Sequence, residues 1–183
     1  MARPGNEARE EDCHARTIRT AFLGAALVAT LAGAAAAPAL AQNVVRHKIP
    51  NSDFPIALAV EVPAGKTTVY VSGQVPSVVD DKAPRNSVAA FGDTKAQTVS
   101  VLKAIERALK SMNLSMGDVV KMQVFLVGDP TKSGMDFAGF MDGYKQFFGT
   151  AEQPNLPARS VMQVAGLVNP GWLVEIEVTA VRP

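Results

Sequence analysis

The chain is poor in the side chains that most often carry out chemistry: among 183 residues it has one cysteine, Cys13, and two histidines, His14 and His47. Cys13 and His14 fall in an N-terminal stretch that reads as an export leader. Past residue 41 there is then no thiol to serve as a disulfide partner, a nucleophile or a metal ligand. The remaining histidine, His47, lies close to the new N-terminus and reads as a surface residue. A Ser-His-Asp triad or a histidine-rich metal site is therefore excluded by inventory. An excess of charge of one sign is lacking too. The leader takes four basic and four acidic residues with it, leaving 14 against 13 and a net charge of +1. That balance argues against an electrostatic nucleic-acid binder. No block of like charge offers a grip on a membrane surface.

The leader rests on three features. Arg16 and Arg19 give a positive start, Thr20 to Ala37 carries no charge, and Pro38-Ala39-Leu40-Ala41 has the small-x-small pattern that signal peptidase needs. The uncharged run is about long enough to span a bilayer. Its alanine-rich composition, its cleavage motif and the lack of a basic stop-transfer cluster favour cleavage after Ala41 over anchoring. The expectation is a periplasmic or secreted protein whose residues 42–183 form one domain with a real core.

Hydrophobic spacing then lays out the elements. Residues 44–62 read as one or two short strands interrupted by Pro50 and Pro55. Thr67 to Val75 is rich in β-branched residues and reads as a strand. Gly73 inside it predicts a bulge or the close approach of another backbone or ligand. Pro76 to Ser87 reads as a surface loop. Val99, Leu102, Ile105, Leu109 and Met112 mark one apolar stripe of a long helix. Asp93 is its N-cap, Asn113 its left-handed stop, and Gln97 is expected on the solvent side. In the strand Val119 to Val127, the residues Val120, Met122, Val124 and Leu126 share a face. Asp136 caps a second helix with Phe137, Phe140, Met141, Tyr144, Phe147 and Phe148 on a broad apolar side. Tyr144 reads as a core or helix-surface aromatic. Gly139 and Gly143 each cost this helix about 1 kcal/mol relative to alanine, which a close approach of helix to sheet would justify. Two final strands, about Ala158–Ala165 and Trp172–Val181, are joined through Asn169-Pro170-Gly171. The order predicts an α+β sandwich with two helices on one side of a sheet.

Against this apolar background, Arg159 in Pro157-Ala158-Arg159-Ser160 is the residue to explain. A strand arginine among apolar neighbours must find an anion, reach solvent or destabilise the fold. It is either solvated or paired structurally, or it is a planar fork for a ligand carboxylate. Glu175 in Val174-Glu175-Ile176-Glu177 is either an exposed strand carboxylate or a group that orients water. A simple hairpin register does not set the two opposite each other. Ser72 and Gly73 are ordinary strand residues, or a hydroxyl and a bare backbone N–H that bind a polar substrate atom. The lysines are scattered, so none is marked for Schiff-base chemistry.

Five separately spaced segments resemble the RidA (YjgF-type) family. They are Val71-Ser72-Gly73-Gln74-Val75-Pro76 with Gln97 after it, Gly117-Asp118-Val119-Val120-Lys121-Met122-Gln123-Val124-Phe125, Tyr144-Lys145-Gln146-Phe147-Phe148, Pro157-Ala158-Arg159-Ser160, and Val174-Glu175-Ile176-Glu177. The resemblance implies a chorismate-mutase-like fold with a mixed β-sheet, a homotrimer, and ligand clefts between subunits. It further implies hydrolysis of reactive enamine and imine acids to 2-oxo acids and ammonia, without metal or organic cofactor. By position, Arg159 matches the clamp on the substrate carboxylate and Glu175 the carboxylate associated with the attacking water. Ser72 and Gly73 match cleft-lining residues. The chain departs from the family at three places. The tyrosine of the N-terminal strand region gives way to Phe54-Pro55-Ile56-Ala57, a cysteine two residues after the arginine becomes Val161, and an asparagine of the second helix becomes Met141. These changes keep the anion clamp and make the cleft more apolar. They point to a larger or greasier carboxylate, or to lost activity. A trimer that binds a small carboxylate without turnover, and a holdase-like interaction protein, are the alternatives.

Overall fold

A computed structural model of the chain describes residues 43–183, so the leader expected at residues 1–41 lies outside the described residues. The elements are β1 (Val45–Lys48), β2 (Ala57–Glu61), β3 (Thr68–Gln74), α1 (Thr94–Ser111), β4 (Val119–Val127), α2 (Phe137–Tyr144), β5 (Ala158–Val164) and β6 (Val174–Val181). The strands form one sheet in the order β1-β2-β5-β4-β6-β3. β5 runs parallel to β2 and β4, and the other pairs are antiparallel. This is the expected α+β architecture, a mixed sheet with two helices. The last two strands, however, are not neighbours, because β4 lies between them. Parallel strands need a long crossover. The segment through α2 supplies it and seats β5 on one edge of β4, while β6 takes the other.

Alternation decides which face is buried. In β6, Val174, Ile176, Val178 and Ala180 are buried, whereas Glu175, Glu177 and Thr179 are half-buried on the opposite face. In β4, Met122, Val124 and Leu126 have no exposed surface. Val120 is buried with them as expected, and a bulge between Val119 and Lys121 lets Val119 join the core as well. Onto this face pack Leu102, Ile105 and Leu109 of α1 and Phe140 and Tyr144 of α2.

The two helices start and stop as their caps require. Asp93 accepts a hydrogen bond from Ala96 N at 2.8 Å, and Asp136 accepts one from Gly139 N at 3.0 Å. Asn113 sits at φ 57°, with Leu114 N donating to Leu109 O and Asn113 N donating to Lys110 O. That pairing satisfies the last carbonyls of α1. The stripe of α1 lies further round than expected: Val99 and Met112 are half-buried, while Thr94, Gln97, Thr98 and Val101 are buried. Gln97 is thus a core residue and not a solvent-facing one. Its Nε2 donates to Gly92 O and Gly171 O, each at 2.9 Å, and its Oε1 accepts from Leu173 N at 2.7 Å. A buried amide is tolerated because backbone groups satisfy it. α2 ends before Phe147 and Phe148, yet Phe148 remains buried and stacks on Tyr144 with ring centroids 4.9 Å apart. The close approach that Gly143 permits is to α1, not to the sheet. A Cβ there would lie 2.8 Å from Thr98 Cβ.

The β1–β2 ribbon joins the sheet through a thin contact, Ala57 beside Ala158. Arg46 reinforces it. Its Nη1 donates to Val119 O (2.9 Å) and Leu156 O (2.8 Å), and its Nη2 donates to Gly117 O (2.8 Å). This strap matters because the segment between β1 and β2 carries Phe54 to the neighbourhood of Arg159.

Candidate active site

Register fixes where Arg159 points. It pairs with Met122 across β4 and β5, so its side chain rises on the core face beneath α2. There the guanidinium carbon lies 4.2 Å from the Tyr144 ring centroid, 5.0 Å from that of Phe140 and 5.7 Å from that of Phe54. These are cation–π distances. Its Nη2 donates to Met141 Sδ at 3.2 Å. Its Nε and Nη1 are sealed from solvent and have no hydrogen-bond partner. No carboxylate of the described residues pairs with it. Burial presses the guanidinium below its ordinary pKa, with Tyr144 opposing the shift. A guanidinium stays protonated in proteins, so the site holds a dry cation with donors to spare.

Local chemistry explains the setting. Phe140 and Tyr144 are one helical turn apart and so share a face of α2. Tyr144 is fully buried, as expected of a core aromatic, and its hydroxyl donates to Pro55 O at 2.9 Å. That bond ties the segment bearing Phe54 to the helix. Burial pushes the Tyr144 phenol up to about 12, against the opposing charge of Arg159. Of the three rings only Phe54 is open to solvent, at 41% exposure.

The other candidate residues fall into two groups. Val161 lies two residues along β5, half-buried and paired with Val124, on the same face as Arg159. Glu175 pairs with Phe125 and therefore lies on the opposite, open face. Ser72 and Gly73 belong with Glu175. A register shift between Val71 and Gln74 marks the bulge expected at Gly73. What approaches that glycine is Glu175 itself, since a Cβ on Gly73 would overlap the carboxylate. Ser72 is exposed and lines a hollow of about 320 Å³ on the open face with Tyr70, Lys121, Gln123 and Glu177, where Gln123 Nε2 donates to Glu177 Oε1. Within one chain, then, Arg159 with Val161 and Glu175 with Ser72 and Gly73 stand on opposite sides of the sheet. Among the described residues, no three His, Cys, Asp or Glu side chains stand close enough to hold a metal ion. His47 is exposed on the edge strand β1 and hydrogen-bonds Glu61 at 2.7 Å.

Sequence reasoning did not place Tyr144 or Phe140 against the guanidinium, although their spacing, and that of Met141 beside them, marked one helix face. Arg46 carried no signal at all: an arginine that satisfies three backbone carbonyls cannot be told from a solvated one by its neighbours in sequence.

Comparison with known proteins identifies the family and the fold. The family model described as endoribonuclease L-PSP matches residues 55–182. A RutC family protein of Pyrococcus abyssi is 31% identical over 144 residues, covering 78% of this chain and 99% of that protein. TdcF of Escherichia coli, named provisionally as a reactive intermediate deaminase, is 35% identical over 114 residues, covering 62% of this chain and 79% of TdcF. The crystal structure of a Rid-family protein of unknown function from Yersinia pestis superposes with a TM-score of 0.54 at 26% identity, covering 74% of this chain and 96% of that one. The chain belongs to the endoribonuclease L-PSP family, which is the RidA (YjgF-type) family.

Proposed function

We propose that this protein is a homotrimeric hydrolase of reactive imine and enamine acids, exported to the periplasm or beyond. The observation that carries this reading is the buried Arg159 guanidinium, with two donors unpaired and no carboxylate of the described residues paired with it. A cation kept dry at such cost is suited to one arriving anion. In a water-poor setting its fork on a carboxylate is a strong, directional hydrogen bond. TdcF, a relative named for reactive-intermediate deamination, supports the same chemistry here.

The reaction needs little from the protein. The imine carbon is already electrophilic, so holding it beside a water accounts for much of the acceleration. Arg159 binds the substrate carboxylate. Glu175 accepts a hydrogen bond from water and takes its proton as the oxygen adds to the imine carbon. That proton passes to nitrogen to give a carbinolamine, whose hydroxyl then loses its own proton to the amine as the carbon–nitrogen bond breaks, and a 2-oxo acid and ammonia leave. No electrons change hands.

Because Arg159 and Glu175 occupy opposite faces of one sheet, both act on one substrate only if they come from different copies. This favours a cleft between subunits, with the open face as the contact between them. That face carries Tyr70, 81% exposed, together with Phe125 and Met162. The word endoribonuclease in the family description finds little support, since Glu175 and Glu177 stand on that face and the net charge is only +1.

The test is release of ammonia from imino acids made in situ by an amino-acid oxidase. Wild type should exceed the spontaneous rate, and Arg159→Ala should lose most of the excess. Removing a charge-assisted fork costs about 1.5–3 kcal/mol, roughly ten- to a hundredfold. Equal rates with and without Arg159 would eliminate the enzyme. A spontaneous rate throughout, with Arg159-dependent stabilisation by carboxylates, would mark a binding protein instead.

A further inference from the structure

The surroundings of Arg159 also bear on which acid it accepts. A carboxylate docks two-pronged on either of two edges of a guanidinium, Nη2 with Nε or Nη2 with Nη1, and each edge uses one Nη2 hydrogen. Met141 Sδ already occupies one of them at 3.2 Å. One edge is left, so the thioether dictates the direction from which a carboxylate approaches. Apart from the Tyr144 oxygen, the remaining contacts around the cation are carbon. Phe140 is buried, Val161 follows on the same face of β5, and the Tyr144 hydroxyl is committed to Pro55 O. Phe54 is the one ring here exposed to solvent, on a segment outside the strands. A ligand that reaches the sealed Nε or Nη1 must move Phe54 aside or lie against it. Against the carbon of that ring a polar side chain would lose water and gain no partner.

Building on the imine-hydrolase reading above, we propose that Phe54 and Met141 together select 2-imino acids with branched aliphatic or aromatic side chains. Met141 sets the docking edge, and Phe54 is the wall against which the side chain packs. Acids with a methyl or polar side chain are poor substrates. Each methylene buried on such a wall is worth about fourfold in binding.

The decisive comparison uses imines made in situ from leucine, asparagine and alanine, with the full chain. Leucine and asparagine give side chains of nearly the same shape and opposite polarity, while alanine gives the short control. Wild type should act on the leucine-derived imine with a kcat/KM roughly tenfold or more above either of the others. Phe54→Ser should bring the leucine-to-alanine ratio within about threefold. Met141→Asn, which restores a donor, should raise asparagine relative to leucine. Thermal melts confirm that each variant is folded, and Phe54 is exposed enough for its replacement to spare the core. Equal wild-type rates on leucine and asparagine would overturn the selectivity while leaving the Arg159 clamp intact. An unchanged leucine-to-alanine ratio in Phe54→Ser would overturn the role of that ring. Failure to accelerate any of the three would overturn the hydrolase reading and this proposal with it.

Discussion

Replacing Arg159 with methionine should make the ligand-free protein more stable, not less. The guanidinium leaves Nε and Nη1 buried without partners, and each unsatisfied buried group costs about 1–3 kcal/mol. Against that stand contacts with Tyr144, Phe140 and Phe54 at 4.2, 5.0 and 5.7 Å. Together these offset roughly 2–4 kcal/mol. Methionine keeps a stem of similar length and gains sulfur–aromatic contact of its own, and apolar replacement of buried charge is often neutral or stabilising. The balance is a gain of about 1–2 kcal/mol, or roughly 3–6 °C in Tm for a domain of this size. Chemical and thermal denaturation at one fixed protein concentration would measure it, since an oligomer's midpoint moves with concentration. The same variant should lose all stabilisation by added 2-oxo acids. A loss of more than about 1 kcal/mol without ligand would refute the reasoning, because it would mean that the guanidinium is already paired within the assembly and holds the fold together.

Two further outcomes follow from buried polar groups. Gln97→Leu fills the same space but strips partners from Gly92 O, Gly171 O and Leu173 N. Denaturant titration should show a loss of at least about 3 kcal/mol, and a loss below about 1 kcal/mol would return Gln97 to the role of a dispensable surface residue. The Tyr144 phenol, raised from 10.0 to about 12 by burial, should make the protein sensitive to alkali. Between these values the unfolded chain has lost the proton and the folded one keeps it. Stability therefore falls as pH rises through that window, by about 2–3 kcal/mol at most. Tyr144→Phe should flatten this part of the pH–stability curve, and an unchanged slope would assign the loss to other groups.

Much of the fold was legible because it depends on periodicity. The alternation in β4 and β6, the caps at Asp93 and Asp136, and the stop at Asn113 are local signals, and they stand where the sequence placed them. Strand order was not legible. Asn169-Pro170-Gly171 looks like a link between sheet neighbours, but pairing is decided by which edges remain open after α2 has carried the chain across. Gln97 was misplaced for a related reason: its backbone partners at Gly171 and Leu173 are distant in sequence, so nothing nearby marks the amide as satisfied. At the site, motif resemblance singled out Arg159 and Glu175 as residues of one pattern. The strand register of the structure sets them on opposite faces. Each side chain's face follows from counting along a strand, whereas the second copy through which the two are proposed to meet is encoded in no single-chain pattern.

The central claim, that one site takes Arg159 from one subunit and Glu175 from another, is open to a direct measurement. Arg159→Ala and Glu175→Gln proteins, each inactive alone, would be mixed, denatured, refolded together and assayed for imine hydrolysis. With random assembly, one junction in every four pairs an intact Arg159 with an intact Glu175, so the mixture should regain roughly a quarter of wild-type activity. A mixture as inactive as its two components would contradict the shared site, because side chains drawn from a single chain cannot complement one another.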